Sequence, residues 1–415
     1  MPIMTRRLLA LFTLVFLTGQ QLSAYIYDNR FFRILEVPYS RERFFYDPNC
    51  DAESGHWGES RYRNDFFFLT ANNACGRHGD VGFPEIFGDF SLTSINNALN
   101  RVNPSRISPL FEGTKLPGRG KLEGQGISFA YDQQLLDWLA CGVSFSFLHM
   151  NTALKFLLAE TTAGRMEDEV RRAFNRELGL ASTTWRHSGI TDVDAYIRFG
   201  NVWNYILKCR RVDAGVKFGT LFPTGVTKDL ANPASVPFGG NGHYGFYVGL
   251  DGQFELKEDL KVGLISRLIK RIPKTALHRV PVAGENELFG ALVAPFKVNP
   301  GITFVFAPYL RLEGIRDGLG VMVNYTLVWH DNDEWKDRRP LLNRIPPVDT
   351  GLLFKNSNWA AEEVTLNFFY DFSKVEGCNR FLPLVSLSWD IPVCYLIAEN
   401  VVQTNNIALG IEFTF

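Results

Sequence analysis

The sequence lacks a long apolar run. After residue 24, no stretch of 18 or more apolar residues occurs without interruption. A helix that spans a bilayer needs about 20 such residues, so a helical membrane protein is not expected. The chain also lacks an excess of either charge, since its formal net charge is -1. This balance argues against a nucleic-acid partner.

Cysteine and histidine are scarce, with six Cys and seven His in 415 residues. No Cys-x-x-Cys pair or His-rich metal spacing is present, and "FGGNGHYG" leads into an alternating strand rather than the helix of a phosphate loop. We therefore expect no metal, no cofactor and no catalytic site. Cys50 and Cys75 form the plausible disulfide, because both lie in the N-terminal segment of a chain bound for an oxidising compartment.

The first residues have the pattern of an export signal. Arg6 and Arg7 precede the apolar stretch "LLALFTLVFLTG", and "QQLSA" ends in two small residues. We predict a cleaved signal peptide over 1–24, an irregular periplasmic segment over 25–60, and a membrane domain over 61–415.

What the sequence has in abundance is alternation. Aromatic residues make up 14% of the chain, yet the mean hydropathy is only -0.06. Strand-like segments explain both values, because each carries one apolar and one polar or small face. In "GISFAYDQQLLDWLACGVSFSFLH", for example, Ile127 and Phe129 alternate with Ser128 and Ala130.

The lengths of the connections predict the fold. Eleven alternating segments of roughly nine to twelve residues follow Gly126, and short turns alternate with long connections. We predict an all-β fold: a single transmembrane antiparallel β-barrel. "NDFFFLTA" adds a twelfth strand, and fourteen strands result if 83–124 supplies more. Residues 73–125 form an external or inward-folded loop with a helix over 91–102, and a second loop helix is predicted over 166–179.

Ionisable residues opposite the apolar stripes indicate a hydrated lumen, because so many charges cannot share a small dry interior. Acids outnumber bases among them, which favours cations. The candidate lumen and selectivity residues are Asp192, Asp194, Arg198, Asp213, Lys217, Asp251 and Arg311.

The chain ends in "NNIALGIEFTF", in which Ile411, Phe413 and Phe415 continue an apolar alternation to the last residue. This ending is similar to the C-terminal assembly signal of Gram-negative outer-membrane β-barrel proteins. The resemblance implies an outer-membrane location, contact with its lipid, and a barrel assembly machinery as partner. A shorter stretch, "TLFPTG" at 220–225, resembles the strand-end turn of a family of transporter barrels associated with aromatic-compound degradation.

The resulting functional prediction is a pore or transporter for passive or substrate-selective diffusion of small hydrophilic solutes. The alternatives are a structural or adhesin-like barrel with a plugged lumen and a hydrolase at the barrel rim. An omptin-like protease would use Asp192 with Asp194 and His330 with Asp331, but the local omptin motifs are absent. A lipid-facing hydrolase would use the His and Ser of "RHSG" at 186–189, but their spacing does not fit. The solute, the oligomeric state and the openness of the lumen stay open.

Overall fold

The computed structural model describes a defined part of the chain. It covers residues 60–74, 89–91, 115–156, 184–232, 234–280, 292–341, 346–355, 357–372, 383–398 and 402–414, and the single residues 172, 176, 179, 181, 282 and 344. The predicted signal peptide, most of the segment over 25–60, residues 92–102 of the first predicted helix, Cys50, Cys75 and Phe415 lie outside these residues, so those predictions stand as made. Ser91, where that helix was predicted to begin, is described as the end of a short strand.

Seventeen strands and one helix are described. In chain order the strands are β1 Ser60–Ala74, β2 Asp89–Ser91, β3 Lys115–Leu136, β4 Leu139–Phe156, β5 Thr184–Ile190, β6 Val193–Asn204, β7 Arg211–Phe222, β8 Gly245–Lys257, β9 Leu260–Arg271, β10 Lys274–Val280, β11 Leu292–Asn299, β12 Ile302–Arg316, β13 Leu319–His330, β14 Glu334–Asp337, β15 Trp359–Asp371, β16 Leu384–Val393 and β17 Val402–Thr414. The helix, α1, is Thr350–Lys355.

Twelve of these strands close into one antiparallel ring. The order around it is β3-β1-β17-β16-β15-β13-β12-β9-β8-β7-β6-β4, and β4 pairs with β3 to complete it. The last strand pairs with the first, with Phe68 opposite Ile407. Closure satisfies the backbone hydrogen bonds that an open sheet would leave at its edges.

The twelve-strand prediction is confirmed, and the fourteen-strand alternative is wrong. From the region 83–124, β2 pairs only with the start of β3 and does not enter the ring. β5 continues the line of β6, because both pair with β4 on either side of a two-residue break at Thr191 and Asp192. Predicted strand 64–71 is the centre of the longer β1.

The apolar face points outward, as the alternation predicts. Phe68, Phe246 and Leu268 are more than half exposed, whereas the residues between them are mostly buried on the inside. In a soluble protein this distribution would be reversed. Trp138 and Trp203 are exposed near strand ends, and Trp389 is exposed in the middle of β16. Trp359 is buried and faces inward, where its ring stacks on His330.

Aromatic rings cover glycines along the inner wall. Each ring lies on the residue directly opposite the glycine in the neighbouring strand, at a site where any Cβ on the glycine would overlap the ring. The pairs are Tyr196–Gly142, Tyr247–Gly219, Tyr309–Gly263, Phe369–Gly320 and Phe67–Gly126. The first four join the last strand of one hairpin to the first strand of the next, so they pack the barrel where the chain connection is long.

The long connections lie at one end of the barrel, called here the external end. There β10, β11 and β14 form a separate three-stranded sheet, the external sheet. Phe296, Val298 and Trp335 pack with Leu353 of α1 in its core. Within the described residues, no helix is long and apolar enough to cross a membrane. In the predicted helix over 166–179, Arg172 and Arg176 are helical, and Gly179 has a φ of 66°, which suits a helix end.

Candidate channel lumen

The break between β5 and β6 positions the first predicted lumen residue, Asp192. This carboxylate does not lie on a strand. It accepts hydrogen bonds from the backbone N–H groups of Gly225 at 3.2 Å and Gly240 at 2.6 Å, and from Arg271 Nη1 at 3.3 Å. Asp192 therefore holds the connection between β7 and β8 against the barrel wall.

That connection, residues 223–244, is called here the mouth segment. It lies on the inner face of β4 and β5, where Thr152 Oγ1 donates to the carbonyl oxygen of Ala234 at 2.5 Å. Phe238 is fully buried and meets the Trp185 ring edge-on, with centroids 5.6 Å apart. The "TLFPTG" stretch begins this segment, and Thr224 Oγ1 donates to the Thr191 carbonyl at 2.8 Å. The sequence places this connection at the external end but gives no sign that it folds inward.

The external sheet contacts the mouth segment from the other side. The Arg279 guanidinium donates to the Leu230 carbonyl at 2.9 and 3.1 Å, and Lys274 Nζ donates to the Gly242 carbonyl at 3.1 Å. His243 Nδ1 lies 2.9 Å from the Ile272 carbonyl oxygen. Hydrogen bonds therefore join the two connections to each other at the external end.

Below the mouth, Asp194 lies in a buried cluster with Arg267 and Tyr247. Arg267 Nη1 donates to Asp194 Oδ2 at 3.0 Å, and the Tyr247 hydroxyl donates to Asp194 Oδ1 at 2.8 Å. The guanidinium carbon lies 3.7 Å from the Tyr247 ring centroid. The charge of the buried carboxylate is therefore balanced by the guanidinium, and the guanidinium also makes a cation–π contact with the tyrosine ring.

A second cluster lies nearer the periplasmic end. Arg198 Nη2 donates to Asp213 Oδ1 and to Asp251 Oδ2, each at 2.7 Å. Its guanidinium lies over Gly200 and Gly215, where a Cβ would collide with it. The structure therefore brings three predicted residues from three adjacent strands together in one ion-pair cluster.

The two remaining predicted residues lie apart from each other. Lys217 Nζ is 4.7 Å from the centroid of the Tyr196 ring. Arg311 Nε lies 2.6 Å from Glu313 Oε1, and Lys261 Nζ lies 3.1 Å from Glu313 Oε2. Arg311 thus belongs to a separate group on β9 and β12.

The sequence predicts Arg267 as an inward charge but not as one of the seven candidate residues, and it does not identify Arg271 or Tyr247 as lumen residues. Their signal was available, because all three share the inward parity of their strands, between outward residues such as Phe246 and Leu268. What the sequence did not contain was the distance that joins Arg267 to Asp194.

The strands that close the barrel carry another charged group. Arg61 lies 3.2 Å from Asp132 and 3.8 Å from Glu412, and Arg63 lies 2.9 Å from Asp65 and 3.6 Å from Glu412. These pairs link β3, β1 and β17 across the closure. Each of the described luminal clusters therefore contains both signs of charge.

The inner wall is not polar throughout. An apolar group with the inward parity lines part of it, and each of its members is at most 6% exposed: Ile265, Ile269, Val305, Ala307, Met322, Val328 and Leu384. Isolated apolar residues at inward positions do not disturb the alternation, so they were not visible as a group in the sequence.

A cavity of about 230 Å³ lies at the periplasmic end, beside the β3–β4 turn. Its lining includes Leu136, Ala140 and Val202, together with Arg198 and Asp213 from the second cluster. The cavity places that cluster next to the periplasmic opening.

The rim residues considered for proteolysis do not form the expected pair. His330 faces inward and is buried, and its Nε2 lies 3.0 Å from Asp333 Oδ1 rather than beside Asp331. Its Nδ1 lies 2.7 Å from Thr303 Oγ1. Asp333 also accepts the Gly301 N–H at 2.7 Å, so this group fixes the start of the β13–β15 connection.

Three cysteines are described. Cys141 and Cys209 are free, and Cys394 is disulfide-bonded to a residue outside the described part of the chain. The predicted bridge between Cys50 and Cys75 therefore remains a prediction.

A closed antiparallel barrel with an apolar exterior and a charged interior is the architecture of outer-membrane β-barrel proteins. No family model matches the chain, and no curated protein matches its sequence.

Several solved barrels are similar in fold. An outer membrane channel from Pseudomonas putida F1 has a TM-score of 0.49 and 10% identity, over 89% of this chain and 100% of that chain. The translocator domain of the autotransporter NalP from Neisseria meningitidis has a TM-score of 0.34 and 11% identity, over 88% and 90%. The toluene transporter TbuX from Ralstonia pickettii has a TM-score of 0.33 and 10% identity, over 87% and 89%.

Proposed function

We propose that the protein is a channel of the bacterial outer membrane that passes small hydrophilic solutes by passive or substrate-selective diffusion. The observation that carries the proposal is the placement of ionised side chains from neighbouring strands on the inside of a barrel whose outside is apolar.

The paired charges support selection of solutes by the electrostatic potential inside the barrel rather than by a single ion-binding group. In the Arg198 cluster, two carboxylates share one guanidinium. A cation that approaches Asp213 meets an anion already partly compensated, so attraction is moderate and release is fast. Conduction requires this balance between entry and exit. We propose no catalytic role for these luminal groups, because their contacts to one another already account for them.

The mouth segment supports substrate selection at the external end. Asp192 is its tether, since one carboxylate holds Gly225, Gly240 and Arg271. Loosening the tether would widen the mouth without removing a strand of the barrel.

Single-channel recording of the refolded protein in a planar bilayer tests the proposal. We expect discrete conductance steps, and a larger conductance or open fraction in Asp192→Asn. The absence of steps in both proteins, each shown to be folded by heat-modifiable gel mobility, would contradict a channel and favour the plugged, adhesin-like alternative.

Asp349→Asn is the matched control. Asp349 is also an external acid that accepts backbone N–H groups, but its described contacts, Gly351 at 3.0 Å and Leu352 at 3.1 Å, lie within the start of α1. Its conductance should equal that of the wild type. An equal change in both variants would mean that external charge, and not the tether, sets the conductance.

A further inference from the structure

The outer wall carries a polar pair on β4 and β5. His149 on β4 is directly opposite Ser188 on β5, and His149 Nδ1 lies 2.7 Å from Ser188 Oγ. The exposed, outward Gln125 of β3 lies opposite the same histidine on its other side. Ser188 is exposed and His149 is half-buried. The neighbouring His187 has the opposite parity and packs inward against Trp185 and Phe238.

The level of this pair in the membrane follows from the register. The next outward pair toward the periplasm is Phe147 with Ile190, which are 45% and 39% exposed. His149 lies ten residues beyond Leu139, where β4 begins. A tilted strand crosses the hydrocarbon core in about 9–11 residues, so the pair lies at the boundary between acyl chains and headgroups.

The next outward pair in the other direction is polar. Asn151 faces Arg186, and Arg186 Nε donates to Asn151 Oδ1 at 3.3 Å. The outward surface therefore changes within three successive pairs from apolar, to a hydroxyl and an imidazole, to a cation. This order matches a glycerolipid, in which acyl chains, carboxylic ester and anionic headgroup follow one another.

We propose that Ser188 and His149 form a lipid-facing acyl-hydrolase site that acts on the carboxylic esters of membrane lipids. A hydroxyl hydrogen-bonded to an imidazole is the minimal arrangement of an activated serine nucleophile. The site is separate from the lumen and does not depend on conduction through it.

The reaction would proceed in two steps. Ser188 Oγ attacks the ester carbonyl carbon while His149 Nδ1 takes the hydroxyl proton. The tetrahedral intermediate then expels the lysolipid alkoxide, which receives that proton and leaves an acyl-Ser188. Water, deprotonated by His149, then attacks the acyl carbonyl carbon. The second tetrahedral intermediate expels the Ser188 alkoxide, which takes the proton back from His149, and a fatty acid is released. Arg186 would bind the phosphate and bring positive charge near the developing oxyanion.

Two measurements on the folded full-length protein in detergent–phosphatidylcholine micelles test this proposal. Fatty-acid release should occur, and a fluorophosphonate probe should modify the tryptic peptide that contains Ser188. Ser188→Ala should abolish labelling, and His149→Ala should lower the hydrolysis rate by at least ~100-fold, the usual contribution of a general base.

Ser266→Ala is the matched control, because Ser266 also lies at an outward position, between Leu264 and Leu268 on β9. It should keep the wild-type rate. The proposal is overturned if the heat-modifiable wild type is neither labelled at Ser188 nor active, if labelling persists in Ser188→Ala, or if His149→Ala hydrolyses at the wild-type rate. The wild-type result decides the matter even if a variant fails to fold.

Discussion

At the scale of single residues, the glycines beneath inward aromatic rings have the most specific requirement. Tyr247 lies over Gly219, its direct neighbour across β7 and β8. A methyl group at residue 219 would occupy the ring position, so Gly219→Ala must displace Tyr247. Because Tyr247 also donates to Asp194 and stacks on Arg267, the displacement would weaken the whole cluster.

We therefore expect Gly219→Ala to lower the free energy of unfolding by about 1–3 kcal/mol, the usual cost of overpacking. Urea unfolding of the refolded barrel, followed by tryptophan fluorescence, measures it. Gly252→Ala is the control, because the nearest atom to a Cβ there is 3.6 Å away, at ordinary contact distance. Equal losses in the two variants would mean that glycine is needed for the strand and not for the ring.

A second residue-scale prediction concerns Arg267. Its side chain and that of Asp194 are each 3% exposed, so removing the arginine leaves a buried carboxylate without its cation. Arg267→Met should cost about 3–5 kcal/mol in the same unfolding experiment.

Arg210→Ala provides the contrast, since Arg210 is 44% exposed and pairs with the exposed Glu258. It should change the free energy of unfolding by less than about 1 kcal/mol. If Arg267→Met were equally mild, the Asp194 carboxylate would have to be hydrated and not held by the arginine.

At the scale of elements, the external sheet carries a pH dependence. Burial, and after it the nearby positive charges of His243, Lys228 and Lys274, together lower the pKa of His278 to about 4. The unfolded value is 6.5, so between pH 6.5 and pH 4 the unfolded segment binds more protons than the folded one. The contribution of His278 to the free energy of unfolding of the sheet is therefore fully present above pH 6.5. It decreases as the pH falls toward 4, by up to about 3 kcal/mol.

Hydrogen exchange over β10 and β11 measures this effect. We expect faster exchange at pH 5 than at pH 7 after correction for the intrinsic rates, while β12 and β13 in the barrel stay protected. The ring centroids of His278 and Trp335 are 5.2 Å apart, and His278→Phe keeps an aromatic ring at this position. This variant should abolish the difference in exchange rate between pH 5 and pH 7. A difference that persists in this variant would assign the pH dependence to another group.

At the scale of the whole molecule, closure depends on β17. This strand pairs with β16 on one side and β1 on the other, with Phe413 opposite Tyr62. Deleting Phe415 should reduce the amount of folded protein in the outer membrane, because the terminal aromatic belongs to the predicted assembly signal. The molecules that do assemble should show wild-type conductance, since the deletion changes none of the described luminal clusters.

The ratio of heat-modifiable to total protein in membrane fractions measures assembly, and planar-bilayer recording measures the finished pore. The control is Phe372→Ala, directly after the end of β15. It removes an exposed aromatic from a strand end without altering the terminus. Equal assembly defects would mean that any outward aromatic is required, and not the terminal signal.

Most strands of the barrel could be predicted from the sequence because the alternation of apolar and polar residues has a physical cause. Each crossing strand must present an apolar face to lipid, so Phe66, Phe68 and their equivalents recur at every second position. Inward positions carry no such demand. For this reason the inward Ile265 and Val305 could not be recognised as a group from the sequence. The role of Asp192 could not be predicted either, because its partners Gly225 and Gly240 lie in a connection whose path the alternation does not specify.

The sequence by itself determined the fold class, the inward and outward faces of the strands, the twelve-strand count as the first alternative, and the position of the closing strand. These features follow from the period-two alternation and from the lengths of the connections, both of which are local properties of the sequence. The tertiary structure decided which charges meet, that the mouth segment folds inward, and that Ser188 faces His149 and not its neighbour His187. Those facts depend on strand register between segments distant in the chain, which no single stretch of sequence encodes.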